Sequence, residues 1–209
     1  MANSSSFRAN LCESVAIQEL TVPLSPPRKR WTRHQSAALA SSGLLETERL
    51  ELIDGELISK TGKNRPHVNA FTLMHLWLLE VFGKQFVNAE APIDVNAADN
   101  PANEPEPDLI VLNREFSAFV FSNPQPQDID LVVEIADSTL AFDLSTKAAL
   151  YARAGIPEYW VLDVTGRRLF CHRQPSSGRY TVTIYSEFEP VVPLSAPLAE
   201  FRPAQAFVP

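Results

Sequence analysis

Two acidic residues and a lysine have the types and spacing for metal-dependent hydrolysis. Asp108 precedes the apolar run Leu-Ile-Val-Leu, Glu134 lies inside Leu-Val-Val-Glu-Ile, and Lys147 follows within the next predicted helix. Two carboxylates and an ammonium group at one place can hold a divalent metal ion and activate water against a phosphodiester. A carboxylate inside a β-branched run also costs folding free energy unless it has a partner. The position of Glu134 therefore requires an explanation.

Two short strands are expected to carry these acids. Residues 107–112 and 129–135 form apolar runs of strand length, and the second run is apolar enough to be covered on both faces. If the two strands are neighbours, Asp108 and Glu134 can point into one cleft. Mg²⁺ keeps several waters, so two carboxylates and a phosphate oxygen are a sufficient ligand set.

A helix that ends at Gly155 is expected to bring Lys147 back level with Glu134, because it returns over the sheet. The same residues also allow a simpler structure. Asp143 and Lys147 are spaced i, i+4 and could form a surface ion pair, which contributes little to stability. Tyr151 continues the same face and could serve packing alone. Spacing by itself leaves both interpretations open.

The other patterns predict the elements around these strands. Asp54-Gly55 between two alternating apolar runs predicts a β-hairpin, and an amphipathic pattern predicts a helix from Pro66 to Phe82. Either Ser138 or Thr139 could cap the Lys147 helix. A further helix is expected over residues 32–45, and further strands over 85–95, 158–163, 167–172 and 180–186. This order predicts an α/β or α+β fold, with a mixed sheet flanked by helices, a parallel crossover and a C-terminal β meander.

Length and composition indicate one folded domain with an appended segment. The chain has 209 residues, of which 45% are hydrophobic and 21% charged, as in ordinary globular proteins. We expect a flexible extension over residues 1–30, which is rich in serine and proline, and one domain over residues 31–209. The basic cluster over residues 28–33 could be an arm that contacts phosphates or a solvated linker.

Several classes of protein are disfavoured. Cys12 and Cys171 lie far apart and form no CxxC pattern, so neither a disulfide framework nor a zinc site is indicated. No apolar run approaches the ~20 residues of a transmembrane helix, and the first residues lack the features of a signal peptide. We therefore expect a cytoplasmic protein. The net charge of −7 argues against a coat protein of nucleic acid but permits a nuclease, whose cleft alone must be basic.

A set of short motifs, taken in order, resembles the Uma-two family. This is a large bacterial group of restriction-endonuclease-like proteins, especially expanded in cyanobacteria, within the PD-(D/E)XK nuclease superfamily. The resemblance covers residues 32–205 and implies a restriction-endonuclease-like mixed sheet flanked by helices. The motifs are Glu51-Leu-Ile-Asp54-Gly55-Glu56, Pro66-His67, Pro107-Asp108, Val-Val-Glu134-Ile and Asp143-x-x-x-Lys147-x-x-x-Tyr151-Ala-Arg-Ala-Gly155-Ile-Pro-Glu158-Tyr-Trp160.

The resemblance implies catalytic roles for three residues. Asp108 matches the aspartate of the PD motif, and Glu134 matches the second acid, so both would bind the metal. The superfamily places its lysine two residues after that acid, where this chain has Ala136. The family's lysine is taken to have moved to the helix, and Lys147 matches it.

Two further residues are implied with less definite roles. Glu51 would add an acid to the site, whereas His67 would contact the substrate or simply form part of the wall near the first turn of its helix. One departure concerns the turn after Glu134, where many members read Ser-Pro-Ser-Thr and this chain reads Ala-Asp-Ser-Thr. The additional carboxylate, Asp137, could assist metal binding or repel a phosphate.

The resemblance implies an Mg²⁺-dependent endonuclease that hydrolyses DNA phosphodiester bonds, with Mn²⁺ able to substitute. Related nucleases often act as homodimers, since two cuts need two sites. The alternative is a non-catalytic module that binds nucleic acid or a protein partner and retains the nuclease fold. A hydrolase of small phosphate esters is a third reading, supported only by the acids.

Overall fold

The computed structural model describes residues 28–44, 48–60 and 64–208, so most of the expected extension, residues 1–27, lies outside the described part. Within it, the helices and strands largely follow the predicted order. They are α1 (Arg33–Ser41), β1 (Leu50–Ile53), β2 (Glu56–Ser59), α2 (Arg65–Phe82), β3 (Val87–Ala89), β4 (Leu109–Leu112), β5 (Ile129–Ala136), α3 (Leu140–Phe142), a π-helical segment (Asp143–Lys147), α4 (Ala148–Ala154), β6 (Glu158–Asp163), β7 (Arg168–Ser176) and β8 (Arg179–Ser186).

The predicted hairpin is confirmed as the antiparallel pair β1–β2. Its two turn residues, Asp54 and Gly55, have φ angles of 46° and 74°. Both values are in the left-handed region, which the Asp-Gly pair tolerates and which matches the twist of a two-residue hairpin. The backbone N–H of Trp31 donates to the carbonyl oxygen of Gly55 at 2.8 Å, so the hairpin tip also anchors the chain that precedes α1.

Two arginines of the basic cluster at the start of α1 contact the rest of the domain. Arg30 lies 3.0 Å from Glu56, and Arg33 lies 2.5 Å from Asp94. Arg33 also donates to the carbonyl oxygen of Asn103 at 2.5 Å. These contacts fix the start of the domain against the hairpin and the loop that precedes β4.

The main sheet has six strands in the order β3-β4-β5-β6-β7-β8. Strands β5 and β6 are parallel, and the other neighbouring pairs are antiparallel. The expected mixed sheet with one parallel crossover is therefore confirmed, and α3 and α4 form that crossover. The strand predicted over residues 85–95 is wrong in length, because Glu90 adopts a φ of 52° and ends β3.

Each face of the sheet has its own apolar core. One face is covered by α2, whose Ala70, Met74 and Leu78 are spaced i, i+4 and i+8 and are buried, together with the C-terminal segment. The other face is covered by the crossover helix, which buries Tyr151. Burial on both faces explains the mostly apolar sequence of β5.

The C-terminal part is a meander followed by a bound tail. β7 and β8 extend beyond their predicted bounds and pair antiparallel. Val191 then forms an isolated bridge with Phe201. A 3₁₀ turn follows over Pro203–Ala206, and proline suits the first position of such a turn. No described helix has both the length and the apolarity to cross a membrane.

Candidate active site

The pairing of β4 with β5 brings the two predicted acids together. The register places Leu109 opposite Val133, so Asp108 and Glu134 stand opposite each other on one face. The N–H of Asp108 donates to Glu134 Oε2 at 3.3 Å, and the N–H of Ile135 donates to Asp108 Oδ2 at 2.9 Å. Both side chains are buried. Backbone N–H groups thus fix one oxygen of each carboxylate.

A π-helical turn positions the lysine. Between α3 and α4 the helix widens over Asp143–Lys147, and such single turns often occur at functional sites. Asp143 and Lys147 are each 3% exposed, so the alternative of a surface ion pair is wrong. Thr139 precedes α3 as predicted, but its side chain does not cap the backbone. Its hydroxyl instead donates to Asp143 Oδ2 at 2.6 Å.

The ammonium group of Lys147 joins two carboxylates from different strands. Its Nζ lies 2.9 Å from Glu134 Oε1 and 2.9 Å from Glu51 Oε1. The hydroxyl of Tyr151 donates to the same Glu134 oxygen at 3.3 Å, so this tyrosine does more than fill space. The expected return of Lys147 to the level of Glu134 is thereby observed.

Glu51 and His67 complete the predicted set. Glu51 is buried in β1, and its second oxygen accepts from the N–H of Glu106 at 3.2 Å. His67 lies in the first turn of α2, with Nε2 4.0 Å from Asp108 Oδ1. A single cavity of about 90 Å³ is lined by all five predicted residues, Glu51, His67, Asp108, Glu134 and Lys147.

Burial controls the protonation of the groups in this cavity. Burial raises the pKa of Glu134 to about 8, although Lys147 opposes the shift. Burial likewise raises the pKa of Asp143 to about 6 against the same opposition. For Lys147, burial alone would lower the pKa, but Glu134, Glu51 and Asp143 outweigh it and raise the pKa. The lysine therefore remains an ammonium group throughout the physiological range.

Hydrogen bonds at the rim of the cavity connect α2 to the sheet, and the sequence patterns had not predicted them. Asp137, the departure from the family pattern, accepts from Asn64 Nδ2 at 2.5 Å and from Thr165 Oγ1 at 3.2 Å. Asn64 also caps α2 by accepting from the N–H of His67 at 3.0 Å. The signal was available, because Asn before Arg-Pro is a typical helix start. Asp137 thus ties the His67 helix to the sheet.

The donor set fits a hard divalent cation that keeps most of its waters. Within residues 28–44, 48–60 and 64–208, no three His, Cys, Asp or Glu side chains are arranged to hold a metal ion by themselves. Mg²⁺ does not require such a cage, since it usually binds through one or two carboxylates together with water and substrate phosphate. The adjacent carboxylates of Asp108 and Glu134 meet that requirement.

The chain combines a mixed sheet, paired acids on adjacent strands and a lysine from the crossover helix. This combination defines a nuclease-like α+β protein. The chain belongs to the Uma2 family, described as "Putative restriction endonuclease", whose family model matches residues 38–206. A comparison with curated proteins gives no match.

A similar fold occurs in a crystal structure described as "a putative nuclease belonging to DUF820" from Anabaena variabilis. The two chains are 16% identical and superpose with a TM-score of 0.58, over 77% of this chain and 90% of that one. At 16% sequence identity, the structural similarity shows that the two chains share a fold. The predicted family and fold class are therefore confirmed. The catalytic roles, the magnesium requirement, the DNA substrate, the homodimer and the cytoplasmic location stay predictions.

Proposed function

We propose that this chain is an endonuclease that hydrolyses phosphodiester bonds of DNA and requires Mg²⁺, for which Mn²⁺ can substitute. In this proposal Asp108 and Glu134 hold the ion, Lys147 stabilises the reacting phosphate, and His67 contacts the substrate. The observation that carries the proposal is the convergence of four buried acids around one buried ammonium group.

The cavity contains more acidic groups than its lysines can offset. Glu51, Asp108, Glu134 and Asp143 are all nearly inaccessible to solvent. The other lysine of the lining, Lys60, donates to the carbonyl oxygen of Glu106 instead. Buried carboxylates without a counter-charge cost several kcal/mol each. A divalent cation would offset this excess, and carboxylate oxygens are the ligands that Mg²⁺ prefers.

A bound divalent ion supplies activation of water and neutralises charge on the phosphate. The chain itself supplies orientation, because the N–H groups of Asp108 and Ile135 hold one oxygen of each acid before any ligand arrives. Such preorganised groups need no rearrangement during the reaction, which is the main advantage of an enzyme site over water.

The raised pKa of Lys147 supports charge stabilisation rather than proton abstraction as its role. A permanently charged ammonium group cannot accept a proton, so Lys147 is not a general base. It can donate hydrogen bonds to an oxygen on which negative charge develops in the transition state. In this proposal Glu51 acts as a positioning residue, because its carboxylate lies 2.9 Å from Nζ, the same distance as that of Glu134.

The test combines cleavage with metal binding. Supercoiled plasmid DNA is incubated with the full chain and Mg²⁺ or Mn²⁺, and we expect nicked or linear products. Asp108→Asn and Glu134→Gln should slow cleavage at least about a hundredfold, the scale for losing one preorganised catalytic group. Thermal unfolding with and without the metal gives a second readout, since a ligand that binds only the folded state raises its stability.

The matched control is Asp128→Asn. Asp128 is also buried and lies just before β5, at the opposite end from Glu134, with Arg114 at 2.7 Å. This variant should keep both cleavage and metal stabilisation. A wild-type protein that gains no stability from either metal would exclude the metal site. Metal stabilisation without cleavage of single- or double-stranded DNA would exclude the nuclease and favour the binding module.

A further inference from the structure

A second cavity lies beside the candidate active site, at the start of α2. Its volume is about 320 Å³, within the range of ~300–1,000 Å³ that is usual for sites that bind small molecules. Asp108, Glu134 and Lys147 do not line it. We call it the flanking pocket, and its lining residues are Arg65, Pro66, Asn69, Val164, Arg167 and residues 206–208.

The two cavities share a wall. Asn64 lines the candidate active site, and the next residue, Arg65, lines the flanking pocket. Asp137 lines the active site and follows β5, whereas Val164 lines the flanking pocket and follows β6. These strands are parallel neighbours, so both cavities lie at the carboxyl ends of adjacent strands, where ligands commonly bind. A ligand that extends past the active site can therefore reach the flanking pocket.

The flanking pocket differs from the candidate active site in charge. Its lining, among the described residues, contains two arginines and no acid. Arg167 is already engaged, because it pairs with Glu187 and its guanidinium carbon lies 4.5 Å from the ring centre of Phe207. Arg65 is exposed, and no carboxylate within residues 28–44, 48–60 and 64–208 forms an ion pair with it. Arg65 therefore offers a guanidinium group to an anionic ligand, and phosphate oxygens match its geometry.

Most of the remaining wall is apolar. Pro66, Val164, Ala206 and Phe207 contribute to it, and an apolar wall with a few polar groups is the usual surroundings of a bound ring. Asn69 adds an amide that can both donate and accept hydrogen bonds, as the edge of a nucleobase requires. Among ligands that join a ring to an anion, a nucleotide is the one that the proposed function supplies.

We propose that the flanking pocket binds one nucleotide of the substrate strand, next to the cleaved bond, with its base against the apolar wall and a phosphate at Arg65. This inference rests on the proposed function, since it extends the substrate from the reacting phosphate to its neighbour. A base inside the pocket cannot be paired. The substrate class is therefore DNA that is single-stranded or unpaired near the cleaved bond.

The depth of the active site agrees with this substrate class. Asp108 and Glu134 are buried, so the reacting phosphate must enter the cavity to reach them. Duplex DNA is stiff and costs free energy to bend, whereas a single strand is flexible and can follow the wall from one cavity into the other. Proteins that bind single strands commonly combine cationic groups for the backbone with surfaces for the bases.

Binding of an oligonucleotide tests the contact with phosphate without any cleavage. A short fluorescein-labelled strand is titrated with the full chain in EDTA, and its anisotropy is measured at several salt concentrations. Arg65→Gln should weaken binding and reduce the slope of log K against log salt by about 0.7, the value for one phosphate of a single strand. Arg179→Gln is the control, because Arg179 is exposed at the start of β8, and it should change neither quantity.

A pair of substitutions at Asn69 separates charge from shape. Asn69→Glu places a carboxylate four residues after Arg65 on the same helix, where the two side chains can pair, so binding of the strand should weaken. Asn69→Gln keeps the amide and should bind almost as wild type does. Asn69 is only half-buried, and thermal unfolding close to that of wild type shows that each variant is folded.

The position of the base is tested separately. A strand that carries 5-iododeoxyuridine is irradiated in complex with the chain, and the cross-linked peptides should contain residues 65–69 or 206–208. An abasic strand of the same length keeps the phosphates and should bind at least about fivefold more weakly, the lower end of the effect of one base contact. Cross-links confined to other segments would overturn the proposed position of the base.

The results distinguish the flanking pocket from the nuclease. If wild type cleaves DNA, and Arg65→Gln and Asn69→Glu bind and cleave as wild type does, the pocket is wrong and the nuclease stands. If no cleavage is found but binding depends on Arg65 and Asn69, the pocket stands as a nucleic-acid site and the nuclease fails. Tighter binding of the annealed duplex than of the single strand would overturn the substrate class. Competition by thymidine monophosphate as strong as that by the strand would instead indicate a site for free nucleotides and overturn the proposal.

Discussion

At the residue scale, Lys147 has a larger structural role than its sequence position indicated. A lysine on a helix surface contributes little to stability, but Lys147 is almost fully buried between Glu51 and Glu134. Its removal leaves two carboxylates without a counter-charge. The lysine is therefore expected to support both the fold and the reaction, and a substitution must separate these effects.

We predict that Lys147→Met lowers the free energy of unfolding at pH 9 by about 3–5 kcal/mol, the usual cost of removing one partner from a buried ion pair. Urea unfolding measures this loss. The loss should shrink as the pH falls through about 8, the raised pKa of Glu134, because a protonated acid no longer needs a cation. Lys147→Arg keeps the charge and should lose less stability. Equal stability of Lys147→Met and wild type at pH 9 would contradict the buried ion pairs.

His172 is predicted to make the protein less stable in acid. Its ring is buried between Tyr159 and Tyr180, and burial lowers its pKa, although the carbonyl oxygen of Tyr159 opposes the shift. Above about pH 6.5 His172 is mostly neutral in both the folded and the unfolded chain, so it does not change the free energy of unfolding with pH. As the pH falls below 6.5, the unfolded chain binds the proton first, so stability decreases.

The substitution His172→Phe removes this proton-binding group while keeping a ring of similar shape. Unfolding by urea, repeated between pH 7.5 and pH 5, should show a shallower decline for the variant than for wild type. Tyr159→Phe provides a control that alters the same cluster without removing the histidine. Parallel pH profiles for His172→Phe and wild type would show that His172 is freely protonated in the folded state.

At the element scale, the crossover helix combines a regular end with an irregular middle. The π-helical turn before α4 directs both Asp143 and Lys147 inward, which a regular i, i+4 pair on a surface would not achieve. At the other end, Gly155 adopts a φ of 78° and ends α4. The π-helical turn positions the two side chains in the cavity, and Gly155 fixes where β6 begins.

Two glycines allow backbone strain to be separated from crowding. A methyl group at Gly155 would meet no atom within 4 Å, so Gly155→Ala should cost only the left-handed strain, about 1–2 kcal/mol. At Gly55, with φ of 74°, a methyl group would also lie 3.0 Å from Arg30 Cβ and 3.2 Å from Trp31 O. We expect Gly55→Ala to cost more in urea unfolding, and the reverse order would contradict the tight contact at the hairpin.

At the scale of the whole molecule, a buried acid fastens the C-terminal tail to the sheet. Glu158 is 0% exposed and accepts from Arg173 at 2.6 Å, from Trp160 Nε1 at 2.7 Å and from the N–H of Leu194 at 2.7 Å. Arg173 also donates to the carbonyl oxygen of Val192. This pair lies at the start of β6, away from the cavity, and therefore serves the architecture.

We predict that Arg173→Met destabilises the protein by about 3 kcal/mol, at the low end for a buried pair because Arg173 keeps part of its surface exposed. The tail should then become sensitive to limited proteolysis near Leu194. Arg49→Met is the control, since its partner Glu90, 3.1 Å away, belongs to a largely exposed pair outside the tail, and such pairs contribute little to stability. Unchanged proteolysis in Arg173→Met would show that other contacts hold the tail.

The sequence by itself determined the features that depend on neighbouring residues. Asp54-Gly55 specified the hairpin because few residue pairs accept two left-handed conformations. Gly155 specified the end of α4, and the mostly apolar sequence of β5 indicated a strand covered on both faces. The acids and the lysine were recognised from residue type, order and resemblance to the Uma2 family, since such motifs need no structure to be read.

Only the tertiary structure decided how these residues meet. Glu51, Glu134 and Lys147 come from a hairpin, a central strand and a crossover helix, and their contact depends on packing between distant segments. The π-helical turn likewise has no local signal, whereas Pro92 was a local sign that β3 ends early. The raised pKa values of Glu134 and Asp143 follow from the same packing, because desolvation depends on everything that surrounds a group rather than on its sequence neighbours.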